Sequence, residues 1–232
     1  MKQLTKNQLK ILAIVCMTID HIGAAFFPQA VWLRVIGRLA FPLFSYCIAE
    51  GCRYTRNKAR YFGSVFACGA VCVIAFLPFG SFYGNALITL SLSILLLYGV
   101  EAWKSSGKLR FLALTAALAA VFYLLCRTVY IDYGFAGVLL PVYAAAGRIL
   151  WERVFAGIPP VIGERLGFAI GLLALAGVMG GVQRFCVLAI FPILLLGNER
   201  GKWEMQHFFY IYYPAHLAVI GALQMALEAA AG

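Results

Sequence analysis

The chain has 232 residues, of which 63% are apolar, 15% aromatic and only 12% charged, and its formal net charge is +10. A soluble domain carries roughly twice that charged fraction, so a water-soluble globular fold is excluded, and a nucleic-acid partner is not expected. A hydrocarbon core of about 30 Å takes about 20 mostly apolar residues per helix, and the sequence supplies such stretches repeatedly. The composition therefore predicts an all-α, polytopic integral membrane protein.

The N-terminal MKQLTKNQLK resembles the basic opening of a signal peptide. The apolar run behind it is long, contains Asp20 and His21, and is followed by no polar mature region. It reads as a retained first span. In chain order the predicted spans are 9–28, 33–52, 61–79, 85–101, 109–129, 134–150, 166–181, 184–197 and 206–228. That makes about nine transmembrane helices. The segment 184–197 is short and open to a re-entrant reading, so eight to ten are compatible. Fifteen of the 19 basic residues fall in alternate loops, leaving Arg34, Arg38, Arg127 and Arg184 on the other side or at outer span ends. By the positive-inside rule the N-terminus is cytoplasmic, which also explains most of the net charge. No internal repeat or soluble segment interrupts 1–232, which reads as one transmembrane helical domain. The seven cysteines lie in or at the ends of spans without a CxxC pair. They read as small buried hydrophobes, and no metal site is expected.

An ionisable side chain at membrane depth costs about 2.5–3.5 kcal/mol on insertion scales and marks a functional candidate. The first span carries Asp20 and His21, the second Arg38 and Glu50, the sixth opens at Asp132, and the last holds His216. Asn85 and Thr89, four residues apart, share one face of the fourth span. At about 1.5 Å per residue, His21 lies roughly 18 Å, and His216 roughly 15 Å, from the cytoplasmic starts of their helices. Both belong near mid-membrane, while Asn85, Asp132 and Arg38 lie toward the outer ends. One shared cavity would spare each group an unpaired burial. The structural alternative is helix-to-helix pairing, Asp20 with Arg38 and Glu50 with Arg53. Neighbouring helical residues point about 100° apart, so Asp20 and His21 cannot face each other as a dyad. The orienting partner of His21 would come from another helix.

The second span ends in EGCRYTRNKARYF, where Thr55 and Asn57 interleave with Arg53, Arg56, Lys58 and Arg60. NERGK (198–202) adds Asn198 and Arg200 on the same side. Topology signalling accounts for a generic basic group, but forked guanidinium groups also suit phosphate. A phosphate-rich cytosolic ligand is therefore a candidate.

The stretch MTIDHIG, followed by LRVIGRLAFPLFSYCIAEGCRYTRN, resembles the N-terminal signature of the TraX family. NALITL, DYGFAGV, GNERG and FFYIYYPAHL follow in order, so the resemblance spans almost the full chain, with 140–190 contributing little. Tyr54 stands where the pattern has His, and Ala86 where it has bulkier residues; neither change removes an ionisable group. The resemblance implies a bacterial inner-membrane protein tied to N-terminal acetylation of a pilus subunit. It is similar to membrane acyltransferases that carry an acyl group from cytosolic acyl-coenzyme A to an acceptor.

The expected mechanism is direct transfer from acetyl-coenzyme A as co-substrate. Its phosphates would lie at Arg53, Thr55, Arg56, Asn57, Asn198 and Arg200. His21 is the expected general base, Asp20 its brace, and His216 the second candidate or a proton shuttle. Arg38, Asn85 or Tyr213 would stabilise the oxyanion. Glu50, Thr89, Asp132, Tyr133 and Tyr213 are the candidate substrate contacts. A covalent acyl-histidine route, a proton-coupled transporter and a non-catalytic assembly factor for a surface structure stay open. So do the acceptor (a peptide or pilin N-terminus, a glycan or a lipid-linked precursor), the acyl length and the oligomeric state, a homo-oligomer included.

Overall fold

A computed structural model describes residues 3–77, 84–197, 199, 201 and 206–231. The described secondary structure is helical apart from two isolated β-bridges, with helices α1 (Lys6–Phe26), α2 (Val31–Gly37), α3 (Ala40–Tyr54), α4 (Lys58–Phe76), α5 (Ala86–Ser106), α6 (Leu109–Thr128), α7 (Gly134–Val154), α8 (Pro160–Met179), α9 (Ile190–Leu194) and α10 (Gln206–Ala231). A 3-10 helix, Gly181–Ala189, precedes α9. Seven segments are long and apolar enough to cross a membrane, with Val31–Tyr54 counted as one, and α10 adds 26 residues. The predicted span at 184–197 is not a long helix. Only Gly181–Leu194 is helical there, so the described residues hold eight long segments and one short one rather than nine full spans. Helices suit this setting because each satisfies its own backbone groups where no water can.

The chain divides into two compact units. The first comprises 1–44 and 180–232. Its α1 starts from a capping box, with Thr5 Oγ1 accepting from Gln8 N–H while Gln8 Oε1 accepts from Thr5 N–H. Leu4 N–H donates to the Leu195 carbonyl and Gly197 N–H to the Leu4 carbonyl, both at 2.8 Å, tying the chain start to the end of α9. Cys16, Met17 and Ala40 form a small core with Leu12, Ile36, Leu39, Phe44, Tyr212 and Tyr213 around it. The break between α2 and α3 falls at Arg38 and Leu39. Pro42 explains it: the ring has no N–H to offer the carbonyl of Arg38 four residues back and clashes with a regular turn there. Leu39 N–H bonds instead to Ile36, in the tighter i–3 pattern.

The second unit comprises 45–179. Asn85 caps α5, its Oδ1 accepting from Leu87 N–H at 3.0 Å and Ile88 N–H at 3.3 Å, while its Nδ2 donates to the Gly69 carbonyl at 2.8 Å. The starts of α5 and α7 are pinned by Thr89 Oγ1, which donates to the Asp132 carbonyl at 2.5 Å, and by Ser93 Oγ, which donates to the Val138 carbonyl at 2.8 Å. Small hydroxyls bonded this way let two helices approach closely in lipid. Helix α6 packs on α5 and α7 through Phe122 and Leu118, while Leu114, Val121 and Leu124 are left exposed, as lipid-facing apolar side chains should be.

Backbone against backbone joins α7 to α8. A Cβ on Gly167 would overlap the Tyr143 carbonyl and lie 2.9 Å from Gly147 Cα. Only glycine permits that approach, and dispersion across it holds the hairpin. Gly177, on the same helix, has open space around it. Gly167→Val should therefore destabilise the protein by about 1–3 kcal/mol or more, the usual effect of overpacking. Gly177→Val should be close to neutral. Thermal unfolding of the two variants in detergent checks the difference.

Candidate functional site

The first unit brings together the two histidines. His21 Nδ1 lies 2.8 Å from His216 Nε2, and the rings stack with centroids 5.0 Å apart at 24°. The depth match counted along the sequence is met by a direct bond between α1 and α10. His216 is buried, and its Nδ1 lies 2.9 Å from the Tyr212 carbonyl one turn back.

The protons of this chain follow from its partners. A peptide carbonyl only accepts, so His216 Nδ1 carries hydrogen. Neutral His216 then presents Nε2 as an acceptor, and His21 Nδ1 must donate to it. The remaining lone pair of the pair sits on His21 Nε2, which has no hydrogen-bond partner among the described residues. When Nε2 takes up a proton, the Nδ1 proton can shift to His216, so the charge is shared by two rings. The arrangement is a base with a proton acceptor behind it.

The turn that carries the Tyr212 carbonyl is itself fixed. Thr18 Oγ1 donates to the Ile14 carbonyl at 2.9 Å, so its single hydrogen is taken. Tyr212 Oη, 2.7 Å from Thr18 Oγ1, is therefore the donor. The Tyr212 ring also stacks on His216 at 5.2 Å and 8°, and Tyr213 meets His216 edge-on at 5.7 Å.

Beside His21, the buried Asp20 carboxylate meets two guanidinium groups from one helical stretch. Arg38 Nη2 donates to Asp20 Oδ2, and Arg34 Nη1 lies 3.1 Å from Oδ1. Arg34 Nη1 also donates to the Asp20 main-chain carbonyl at 2.9 Å, and Arg38 Nη1 donates to Gln183 Oε1 at 3.1 Å. Gly37 lies against the carboxylate so closely that a Cβ there would collide with it. Asp20 thus braces α1 against α2 from a face other than that of His21, and Arg38 is engaged by Asp20 and Gln183. Arg34, Gln183, Thr18 and Tyr212 were not candidates on sequence grounds. One signal was available: Arg34 and Tyr212 each stand four residues before a candidate, on the same helix face.

The other candidates fall in the second unit. Asn85 and Thr89 make the cap and pin described above, and Asp132 supplies the carbonyl that Thr89 bonds. Tyr133 precedes α7 with φ +64°, the one non-glycine positive φ among the described residues. Arg53 Nη1 lies 3.6 Å from the buried Glu164 carboxylate on α8, so its partner there is not Glu50, which lies elsewhere on α3. Asn57 caps α4, its Oδ1 accepting from Arg60 N–H at 2.9 Å, and Thr55 Oγ1 contacts the Asn57 carbonyl at 3.5 Å. Arg56 is exposed and makes no ion pair with a described residue. Asn198 and Arg200 lie outside the described residues. Among the described residues no cluster of three His, Cys, Asp or Glu side chains could hold a metal.

The family model described as "TraX protein" matches residues 5–224. The chain belongs to the TraX family. It is 28% identical to the probable fimbrial assembly protein FimC, serogroup H1, of Dichelobacter nodosus over 95% of its own length and 96% of that protein's. Identity to Protein TraX of Escherichia coli is 24%, over 95% and 87% of the two chains. An uncharacterized protein of Rickettsia prowazekii is 50% identical over 56 residues, 24% of this chain and 22% of that one. No solved structure matches.

Removing one partner from a buried ion cluster strands the others, at a cost of about 3–5 kcal/mol. Asp20→Ala should lower thermal stability by that order, because two guanidinium groups lose their carboxylate. Asp20→Ala combined with Arg38→Met should recover part of the loss. Unfolding of the single and double variants in detergent tests the expectation.

Proposed function

We propose that this TraX-family protein is a membrane-embedded acyltransferase of the bacterial inner membrane, with its N-terminus in the cytoplasm, that moves an acetyl group from acetyl-coenzyme A to an amine or hydroxyl. The observation that supports this reading best is the His21–His216 pair. A lone pair on His21 Nε2, backed by a second imidazole, suits removal of a proton from a weakly acidic nucleophile as it attacks a thioester. As the N–C or O–C bond forms, the acceptor proton passes to Nε2. Collapse of the tetrahedral intermediate breaks the C–S bond and returns a proton to the coenzyme A thiolate.

Arg56 and Arg60 are exposed guanidinium groups of the second unit open to phosphates, whereas Arg53 contacts Glu164. The relatives named for TraX and for fimbrial assembly favour a pilin-type protein as acceptor, with its N-terminal amine as the nucleophile. Such a role makes the protein a modifying step in assembly of a surface fibre.

Protein purified in detergent should transfer label from radioactive acetyl-coenzyme A to an amine acceptor. His21→Ala should lower the rate about 10²–10⁴-fold, the usual contribution of a general base, without loss of fold. His216→Gln keeps an oxygen where Nε2 stood and should retain much more activity than His216→Phe. Transfer by His21→Ala at the wild-type rate would overturn the assignment. A substrate-driven pH change in proteoliposomes without acetyl-coenzyme A would favour the transporter reading.

A further inference from the structure

The ion cluster beside His21 does not balance. One carboxylate, Asp20, faces two guanidinium groups, Arg34 and Arg38, which leaves a charge of +1. The other described acids of this unit are remote from Asp20. Glu199 meets the start of α1 through its main-chain carbonyl and Lys6 N–H, about 21 Å from Asp20 at 1.5 Å per residue. Glu228 lies near the end of α10, about 18 Å beyond His216 on the same count.

The surplus sits on Arg34. Arg38 uses Nη2 on Asp20, Nη1 on Gln183 and Nε on the Arg34 carbonyl. Arg34 uses Nη1 alone, and its side chain is 33% exposed. Its Nε and Nη2 have no partner among the described residues. Those two N–H bonds point in parallel and form the side-on fork that matches a carboxylate or phosphate oxygen pair. The fork has a defined place, because the same guanidinium is anchored 2.9 Å from the carbonyl of Asp20, the residue bonded directly to His21. An unbalanced guanidinium in a membrane segment is costly unless an anion joins it.

We propose that the Nε–Nη2 edge of Arg34 is an anion-binding site, taking a carboxylate or phosphate group of the ligand that reaches His21. Arg34 thereby selects acidic ligands and sets their position beside Nε2 of His21. The site does not depend on the chemistry that follows, so it stands or falls separately from acyl transfer.

The test reads modification of His21 by diethyl pyrocarbonate, resolved by mass spectrometry, and the Arg34 Nε–H resonance. Acetate or methyl phosphate at matched ionic strength should slow carbethoxylation of His21 several-fold relative to acetamide, and should shift the resonance. Arg34→Gln should abolish the protection, and Arg34→Lys, which keeps the charge without the fork, should retain part of it. Protection by phosphatidylglycerol over phosphatidylcholine in nanodiscs, without soluble anion, would identify a lipid headgroup as the source. Protection by the soluble anions in either lipid would identify a soluble ligand. The proposal fails if rate and resonance are unchanged by every anion and lipid, or if anions protect Arg34→Gln as well as the wild type. Should Arg34→Gln not fold, the acetate–acetamide comparison on wild-type protein and Arg34→Lys decides the matter.

Discussion

The carboxylate of Asp20 is the fixed point of the first unit. A bare carboxylate within a membrane helix is strongly disfavoured, and two guanidinium groups from the α2 region are what permit it. The same contacts bind α2 to α1, require glycine at position 37, and hold the main chain just before His21 by its carbonyl. The imidazole is therefore mounted on a stretch that electrostatics has already immobilised. His21 can keep one nitrogen uncommitted because its neighbours carry the structural load.

The second unit treats charge differently. Arg148, buried on α7, is held by Glu101 on α5 and by Glu152 one turn further along α7, and Lys104 meets Glu152 at 2.5 Å. Two acids and two bases cancel, and Arg153 covers the Trp103 ring at 4.5 Å. Such a set balances its charge and engages both Nη groups of Arg148, which is the signature of helix-to-helix linkage. The polar groups at the start of α5 are likewise consumed by backbone. The contrast lies in saturation: the cluster at Asp20 is incomplete where that at Arg148 is complete.

The helical class and the long apolar segments were legible because each follows from apolar run length, which is a local property; the count of nine was not, since 184–197 was short enough to read either way. The common depth of His21 and His216 was legible as well, since rise per residue fixes depth whatever the packing; their direct bond was not. The pairing of Asp20 with Arg38 could be named only as one option. Depth leaves the angle about the helix axis free, and partners are chosen by angle. That is why Arg53 finds Glu164 rather than Glu50, and why Asn85 serves as a cap. Tyr212 was hidden for another reason: its contribution to the histidine pair is a main-chain carbonyl, which every residue has.

The column of rings on α10 carries a further consequence. Phe208, Tyr212 and His216 stand every fourth residue, with centroids 5.5 and 5.2 Å apart, and His21 caps the stack. The spacing of the three acts as a ruler for the site. One residue inserted between 208 and 216 would turn the following helix by about 100° and separate His216 from both of its partners. The exposed end beyond residue 220 has no such register to keep. An insertion would thus be tolerated at that end alone: the first half of the helix is metric, the second merely long.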